Sequence, residues 1–471
     1  MQLNKHKSQV AQLLLSLAVI GTAAKAFPGF ESLFFLTPLS LGIILTVFLY
    51  SERENFFSRL MPARRMAWFD VSLKTFILYP LSFVLVFALW CLLSTFWSLY
   101  PKVTLMRSAY LLFLIITIFV AAYMIDWKQT KYKFAFLLPL NIMIVISSLI
   151  SLILNIPESA CTGGNAKGFM GFTAHQNTLG ALILFTSPAV IERLYIHYKS
   201  SDKKNVFLLT SDFCILISGC ILLTLTYSRA SITSFLILII ILLLLQGSKL
   251  VLFLSTVSIT ALILSFVFIP SLRNSMKNIV LKDTQSITET RLPLWQASNE
   301  AAQESWFIGL GYGISHPVIK SGGAGDHYEN GRFIREKGNS ILAMIEEVGI
   351  IGLILFMLPI LIVLSTPIKF IWKKGKMEEW KNVGIQKNQL PSHRFTHSPL
   401  LQFSFSPIHV SRLTFHFSLV SAFLLASAFH AQFEAWWIGV GSFQLFIFIA
   451  ILFTLGYDKK QTVIIGQSFQ K

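Results

Sequence analysis

Four cationic side chains stand near the ends of long apolar runs in this chain: Arg107, Arg229, Arg291 and Lys337. A guanidinium grips phosphate oxygens through a planar fork, and several together suit a diphosphate. In similar positions stand His175 and Asn177 (within Gly171-Phe-Thr-Ala-His-Gln-Asn-Thr-Leu-Gly180), Asn339, Glu346, Glu347, His430 and Glu434. Imidazoles and carboxylates are the groups that take a proton from an attacking hydroxyl. Ionisable residues at membrane depth are costly and mark candidate functional sites. Each also has a plainer reading. A lone arginine at a span end snorkels to headgroups, and His175 fits a structural histidine. Glu346 and Glu347 complement the N-terminus of the helix that follows them. Gly309-x-Gly311-x-Gly313 follows a helix and lacks a P-loop lysine, so it does not read as a nucleotide loop.

The elements that must hold these residues are membrane helices. Apolar residues make up 54% of the 471, charged residues only 13%, and the mean hydropathy is +0.66. That excludes a soluble enzyme, a secreted disulfide scaffold and a disordered chain. Twelve spans are expected, at about 9–25, 33–50, 76–96, 104–124, 134–154, 176–192, 206–226, 231–247, 250–270, 340–365, 415–432 and 441–457. They are too long and too evenly apolar for barrel strands, so the expected fold is all-α and polytopic.

The net charge of +17 fits basic cytoplasmic loops beside anionic lipid, not a nucleic-acid partner. Most of the 39 Lys and Arg fall on one side of the expected topology, which makes that side cytoplasmic and puts both termini there. The polar residues named above then fall at the external face. Lys5, Lys7 and Ala24-Lys25-Ala26 also resemble a signal peptide. An uncleaved anchor is the preferred reading, because many spans follow. The four cysteines (Cys91, Cys161, Cys214, Cys220) show neither a disulfide framework nor metal-ligand spacing.

The expected organisation is membrane helices over 1–270, a large external loop at 271–339, a span at 340–365, a basic cytoplasmic loop at 366–414, and two spans with a tail at 415–471. Within the external loop, Arg291 to Glu304 reads as a helix opened by Thr290 as N-cap with Pro293 in its first turn. Arg291, Trp295 and Asn299 share one face of it.

From about Trp97 to about Leu452 the chain resembles the O-antigen ligase and polymerase superfamily of bacterial inner membranes. The most specific stretch resembles that family's His-Asn-x9-Gly-x-x-Gly signature and reads Gly338-Asn339, nine residues, Gly349-Ile-Ile-Gly352. Asn177-Thr-Leu-Gly180 resembles the family's Asn-Xaa-Leu-Gly segment, and Thr226-Tyr-Ser-Arg229-Ala its Ser-Arg hairpin. Arg291 with Trp295 and the following Gly-x-Gly resembles the start of its large periplasmic loop. Phe433-Glu434-Ala-Trp-Trp resembles its C-terminal periplasmic turn.

The resemblance implies a glycosyltransferase with a GT-C-like helical fold, needing no metal and no cofactor. It would take a glycan en bloc from undecaprenyl diphosphate at the periplasmic face. The acceptor would be another lipid-linked glycan, lipid A–core or protein. Arg229 and Arg291 match the arginines taken to hold the diphosphate. The histidine of the ligase signature is replaced here by Gly338, which favours a polymerase over a ligase; either another residue, from His327, Lys337, Glu346 and Glu434, supplies the base, or this branch needs none. The expected catalytic set is Arg229, Arg291, His327, Asn339 and Glu434. Arg107, His175, Asn177, Trp295 and Lys337 are the expected substrate-binding residues. The alternatives are a polytopic transporter of a glycan or lipid-linked precursor, and an assembly partner with a dead site. A transporter places its coupling residues near the bilayer midplane within repeated halves, and neither feature is evident.

Overall fold

A computed structural model describes residues 2–51, 80–125, 127, 130–156, 160–161, 168–199, 204–246, 257, 260, 264, 291–322, 326–329, 332–382, 407–439 and 442–454. The helices are α1 (Gln2–Ala24), α2 (Leu36–Ser51), α3 (Pro80–Leu93), α4 (Pro101–Met124), α5 (Leu138–Ile153) and α6 (Gln176–Tyr198). There follow α7 (Lys204–Leu225), α8 (Arg229–Gln246), α9 (Leu292–Glu304), α10 (Ser340–Asn382), α11 (Pro407–His430) and α12 (Phe443–Thr454). Among the described residues, seven helical segments are long and apolar enough to cross a membrane, and four shorter apolar ones accompany them. The chain is an all-α polytopic membrane protein. The expected span at 250–270 lies almost wholly outside the described residues.

Several boundaries differ from expectation. α10 does not stop near 365 but runs on to Asn382, and α11 begins at Pro407, so helix occupies both ends of the expected 366–414 loop. Proline ends a helix only from an interior position; at the first turn, as at Pro101 and Pro407, it opens one. α9 begins one residue later than expected. Arg291 holds its N-cap position without a side-chain cap, and Thr290 lies outside the described residues. Two short hairpins were not expected: β1 (Ala160–Cys161) with β2 (Gly168–Phe169), and β3 (His327–Glu329) with β4 (Arg332–Ile334).

α6 is the central helix. Its membrane window is 94% buried, against 28% for the segment that includes α2. It carries enough polar residues to look weak by hydropathy, and some pair inside the bundle: Asn141 Nδ2 of α5 donates to Thr186 Oγ1 at 2.8 Å. Gly180 lets the α7–α8 hairpin pack directly on α6, since a Cβ there would lie 3.0 Å from Ser228 and Ser231. Phe185 of α6 packs edge-on against Phe423 of α11 and Trp436 beyond it, with ring centroids 5.4 and 5.0 Å apart. These contacts fix the start of α8 and the turn after α11 beside the start of α6.

At the far end of α6 a second polar cluster is closed upon itself. Asp212 of α7 accepts from His197 Nδ1 at 2.8 Å and lies 3.1 Å from Arg193 Nη2, while Tyr132 Oη reaches His197 Nε2 at 2.7 Å. Glu192 accepts from Phe134 N at 2.8 Å.

α10 is broken at Gly349, whose φ of 70° and ψ of −178° suit glycine alone. The break frees three carbonyls, and each finds a donor outside the helix. Leu310 N donates to Glu346 O at 2.8 Å, Gly311 N to Glu347 O at 2.9 Å, and Trp90 Nε1 to Val348 O at 2.8 Å. The segment that follows α9 is thereby clamped onto α10.

Candidate active site

Five sequence-expected residues meet at the start of α6 and α8 and the end of α11. His175 is the N-cap of α6; its Nδ1 accepts from Asn177 N at 3.1 Å, so that nitrogen carries no proton. The cap turns Asn177 toward the turn after α11, where its Nδ2 donates to Glu434 Oε1 at 3.3 Å. Arg291 brings Nη2 to 3.5 Å from the same oxygen. Arg229 opens α8 within Coulombic reach of Arg291. Two guanidiniums and one carboxylate thus share a small region, and the side chains of Arg291 and Glu434 keep 24% and 32% of their surface open.

His430 backs this cluster from the last turn of α11. It is buried, its Nε2 lies 3.2 Å from Ser231 Oγ, and it too is within Coulombic reach of Arg291. Ser231 and Gln432 were not singled out in the sequence. Each stands two residues from a residue that was, which is the signal by which they could have been found.

Trp295 and Asn339 adjoin the cluster in supporting positions. Trp295 Nε1 donates to Gly338 O at 3.1 Å, and its ring centroid lies 6.2 Å from that of Phe433. Asn339 caps α10: its Oδ1 accepts from Ile341 N at 2.8 Å and Leu342 N at 3.1 Å, and its Nδ2 donates to Gln432 Oε1 at 3.1 Å. Ser340 Oγ donates to Glu434 O at 2.8 Å. The start of α10 therefore fixes the turn that carries Glu434.

The remaining expected residues lie elsewhere. Lys337 and Arg107 belong to a buried network at the break in α10. Lys337 Nζ lies 2.5 Å from Glu347 Oε1 and donates to Ile314 O at 3.2 Å, with 6% of its side chain exposed. Glu347 Oε2 accepts from Gly313 N at 2.6 Å, and Arg107 Nη1 donates to Gly313 O at 2.9 Å. Glu346 pairs with Arg335, a residue the sequence reading passed over, and accepts from His316 N at 2.9 Å. Glu346 and Glu347 thus sit at the break, well past the N-terminus they were read as complementing, and answer buried cations. His327 lies exposed on β3, beside Asp326. Burial pushes the Asp326 carboxyl up, but hydrogen bonds from Ser321 Oγ and from the amides of Glu336, Ser321 and Gly322 outweigh it and hold the pKa below the usual value. The contribution of Asp326 to folding is thus present at neutral pH and lost as the pH falls through that lowered pKa.

The fold and this clustering define a class: a multi-pass helical membrane protein with arginines and a carboxylate gathered at one end of its bundle. Residues 213–357 match the family model described as O-antigen ligase, which supports the O-antigen ligase and polymerase superfamily. The matched segment contains Arg229, Arg291, Asn339 and the broken start of α10. No curated protein matches the chain. Members of that family are glycosyltransferase-like ligases and polymerases acting on lipid-linked glycans.

Proposed function

We propose that the chain is a polymerase of surface polysaccharide, taking a glycan en bloc from undecaprenyl diphosphate at the periplasmic face and passing it to the next lipid-linked repeat. The observation that carries this reading is Arg291 Nη2 at 3.5 Å from Glu434 Oε1, with Arg229 within Coulombic reach of Arg291. Two like charges within reach of each other are stabilised by an anion, and a diphosphate offers oxygens to both forks.

In the reaction an acceptor hydroxyl attacks the anomeric carbon of the donor. The bond from that carbon to the diphosphate oxygen breaks, and the leaving diphosphate keeps the electron pair. Arg229 and Arg291 stabilise the charge growing on it. The hydroxyl proton passes to the Glu434 carboxylate, which Asn177 orients. Glu434 fills the role that the histidine of the ligase signature would have had at Gly338. Gly338 itself has no room for that histidine without movement, since a Cβ would lie 3.1 Å from the Leu294 side chain. Asn339 and Trp295 act by placing Glu434 and Arg291.

The test is complementation of a deletion strain by Arg291→Ala and Glu434→Gln. Loss of an electrostatic partner at a developing anion costs about 10²–10³ in rate, and loss of a general base about 10²–10⁴. Both variants should remain in the membrane at normal levels and make almost no long-chain glycan. Near-normal glycan from a well-expressed R291A variant would overturn the assignment.

A further inference from the structure

Trp306, Phe307 and Ile308 form an apolar tip just after α9, with 59%, 55% and 38% of their surface exposed. From the sequence alone this segment belongs to an external loop, where such a tip would face water. Its position along α10 says otherwise. Ile350 N donates to Trp306 O at 2.8 Å, so the tip sits beside residue 350, ten residues beyond the start of α10. At 1.5 Å per residue that is about 15 Å along the helix from Ser340.

The bilayer boundary on this helix can be located independently. No ionisable residue occurs between Glu347 and Lys369. That stretch of about 21 residues rises about 31 Å as helix, the thickness of a hydrocarbon core. The core therefore begins beside Val348 and Gly349, where the tip lies. The segment Ser305–Gly313 carries no charged residue. From Gly309 on, its amides are paired: Gly309 N with Ser305 O at 2.9 Å, and Leu310 and Gly311 N with the carbonyls freed by the break. Large apolar side chains are also exposed on the neighbouring helices, Ile354 and Leu361 on α10 and Leu89, Leu93 and Phe96 on and just past α3.

We propose that Trp306-Phe307-Ile308 is a re-entrant interfacial anchor, seated in the bilayer leaflet on the site's side with its side chains among the lipid acyl chains. Tryptophan and phenylalanine at the boundary of the hydrocarbon core are suited to that place. The anchor fixes the depth of the clamped segment, and with it α9 and Arg291. It stands whether or not the site transfers glycans.

The test is spin labelling in lipid nanodiscs. Phe307→Cys is made in a chain whose four native cysteines are replaced, with Lys320→Cys as the aqueous control and Ile354→Cys as the lipid control. Relaxation by molecular oxygen, which concentrates in lipid, is compared with relaxation by a nickel chelate, which stays in water. The label at 307 should match that at 354, with oxygen several-fold more effective than nickel. A label at 307 as open to nickel as that at 320, or one shielded from both reagents, overturns the proposal. As an independent reading in the native-cysteine chain, lipids brominated on the acyl chain should quench the wild type more than Trp306→Phe. Equal quenching overturns the proposal as well.

Discussion

Glu346 has no exposed surface, yet it brings a carboxylate to the edge of the hydrocarbon. Its partners explain how. Arg335 is equally buried and pairs with one oxygen, which Lys337 Nζ also approaches at 3.5 Å, while His316 N takes the other at 2.9 Å. Such a pair stabilises little against an apolar replacement, but breaking it leaves a buried charge behind, at about 3–5 kcal/mol. Glu346→Gln should therefore lower the thermal midpoint of the detergent-purified protein sharply. The double variant Arg335→Met, Glu346→Leu should lower it less than the single one, although the His316 amide loses its acceptor. A double variant as damaging as the two single changes combined would show that the pair itself stabilises the fold. The candidate site was partly legible at this scale. Arg229, Arg291, Asn177, His175 and Glu434 were visible because an ionisable or amide side chain beside a long apolar run has few cheap places to go. Lys337 and Arg107 looked the same in sequence, and the structure gives them buried partners instead. Chemical type announces that a residue at the membrane needs a partner; only the fold decides whether that partner is the protein or a substrate.

At the scale of elements, the membrane helices were legible because lipid demands long apolar runs with internally paired backbones. What the runs do not encode is where a helix breaks or how far it continues past the bilayer. α10 runs on to Asn382 past an interior proline, Pro367, where the sequence alone suggests a stop. The hairpins were missed because two- and three-residue strands carry no measurable alternation. The break at Gly349 was visible only as the glycine spacing of a family signature, and its physical reason now appears. A Cβ at Gly349 would collide with the Phe307 carbonyl, and one at Gly309 with the Glu347 backbone. The two glycines are a matched pair that lets a loop and a helix share carbonyls. Gly349→Ala should cost at least about 2 kcal/mol, through a backbone conformation that alanine rarely adopts and through the collision. It should also raise hydrogen exchange at the amides of Leu310 and Gly311 while leaving α6 protected. Unchanged exchange there would mean that the clamp does not depend on the break.

For the whole molecule, α6 acts as a ruler. Its cap at His175 and its last ionisable side chain at His197 are about 33 Å apart along the axis, close to the thickness of a hydrocarbon core. Both ends carry polar clusters, but of different kinds. Around Asp212 the ion pairs and hydrogen bonds close on one another in the interior, and such a cluster holds α6, α7 and the segment with Tyr132 together. Around Glu434 the groups are partly open: Arg291 lies 3.5 Å from the carboxylate, and Arg229 is within Coulombic reach of Arg291. The proposed reaction, on a lipid-linked diphosphate, would use the second end. The missing imidazole at Gly338 bears on which reaction it is. A polymerase acts on a donor and an acceptor that are both lipid-linked, so both reach the site from within the membrane. A ligase must also accept a separate core glycolipid and is the reading that the signature histidine supports. In a strain lacking this gene, the glycan left on undecaprenyl diphosphate should therefore be single repeat units, with no long chains on the carrier or at the surface. Long chains stranded on the carrier would instead mean a ligase whose base is not at the signature position, and Glu434→Gln would then have to reproduce that stranded pool. A carrier pool unchanged by the deletion would remove the glycosyl-transfer reading altogether, while leaving the fold, the clamp and the interfacial anchor as they stand.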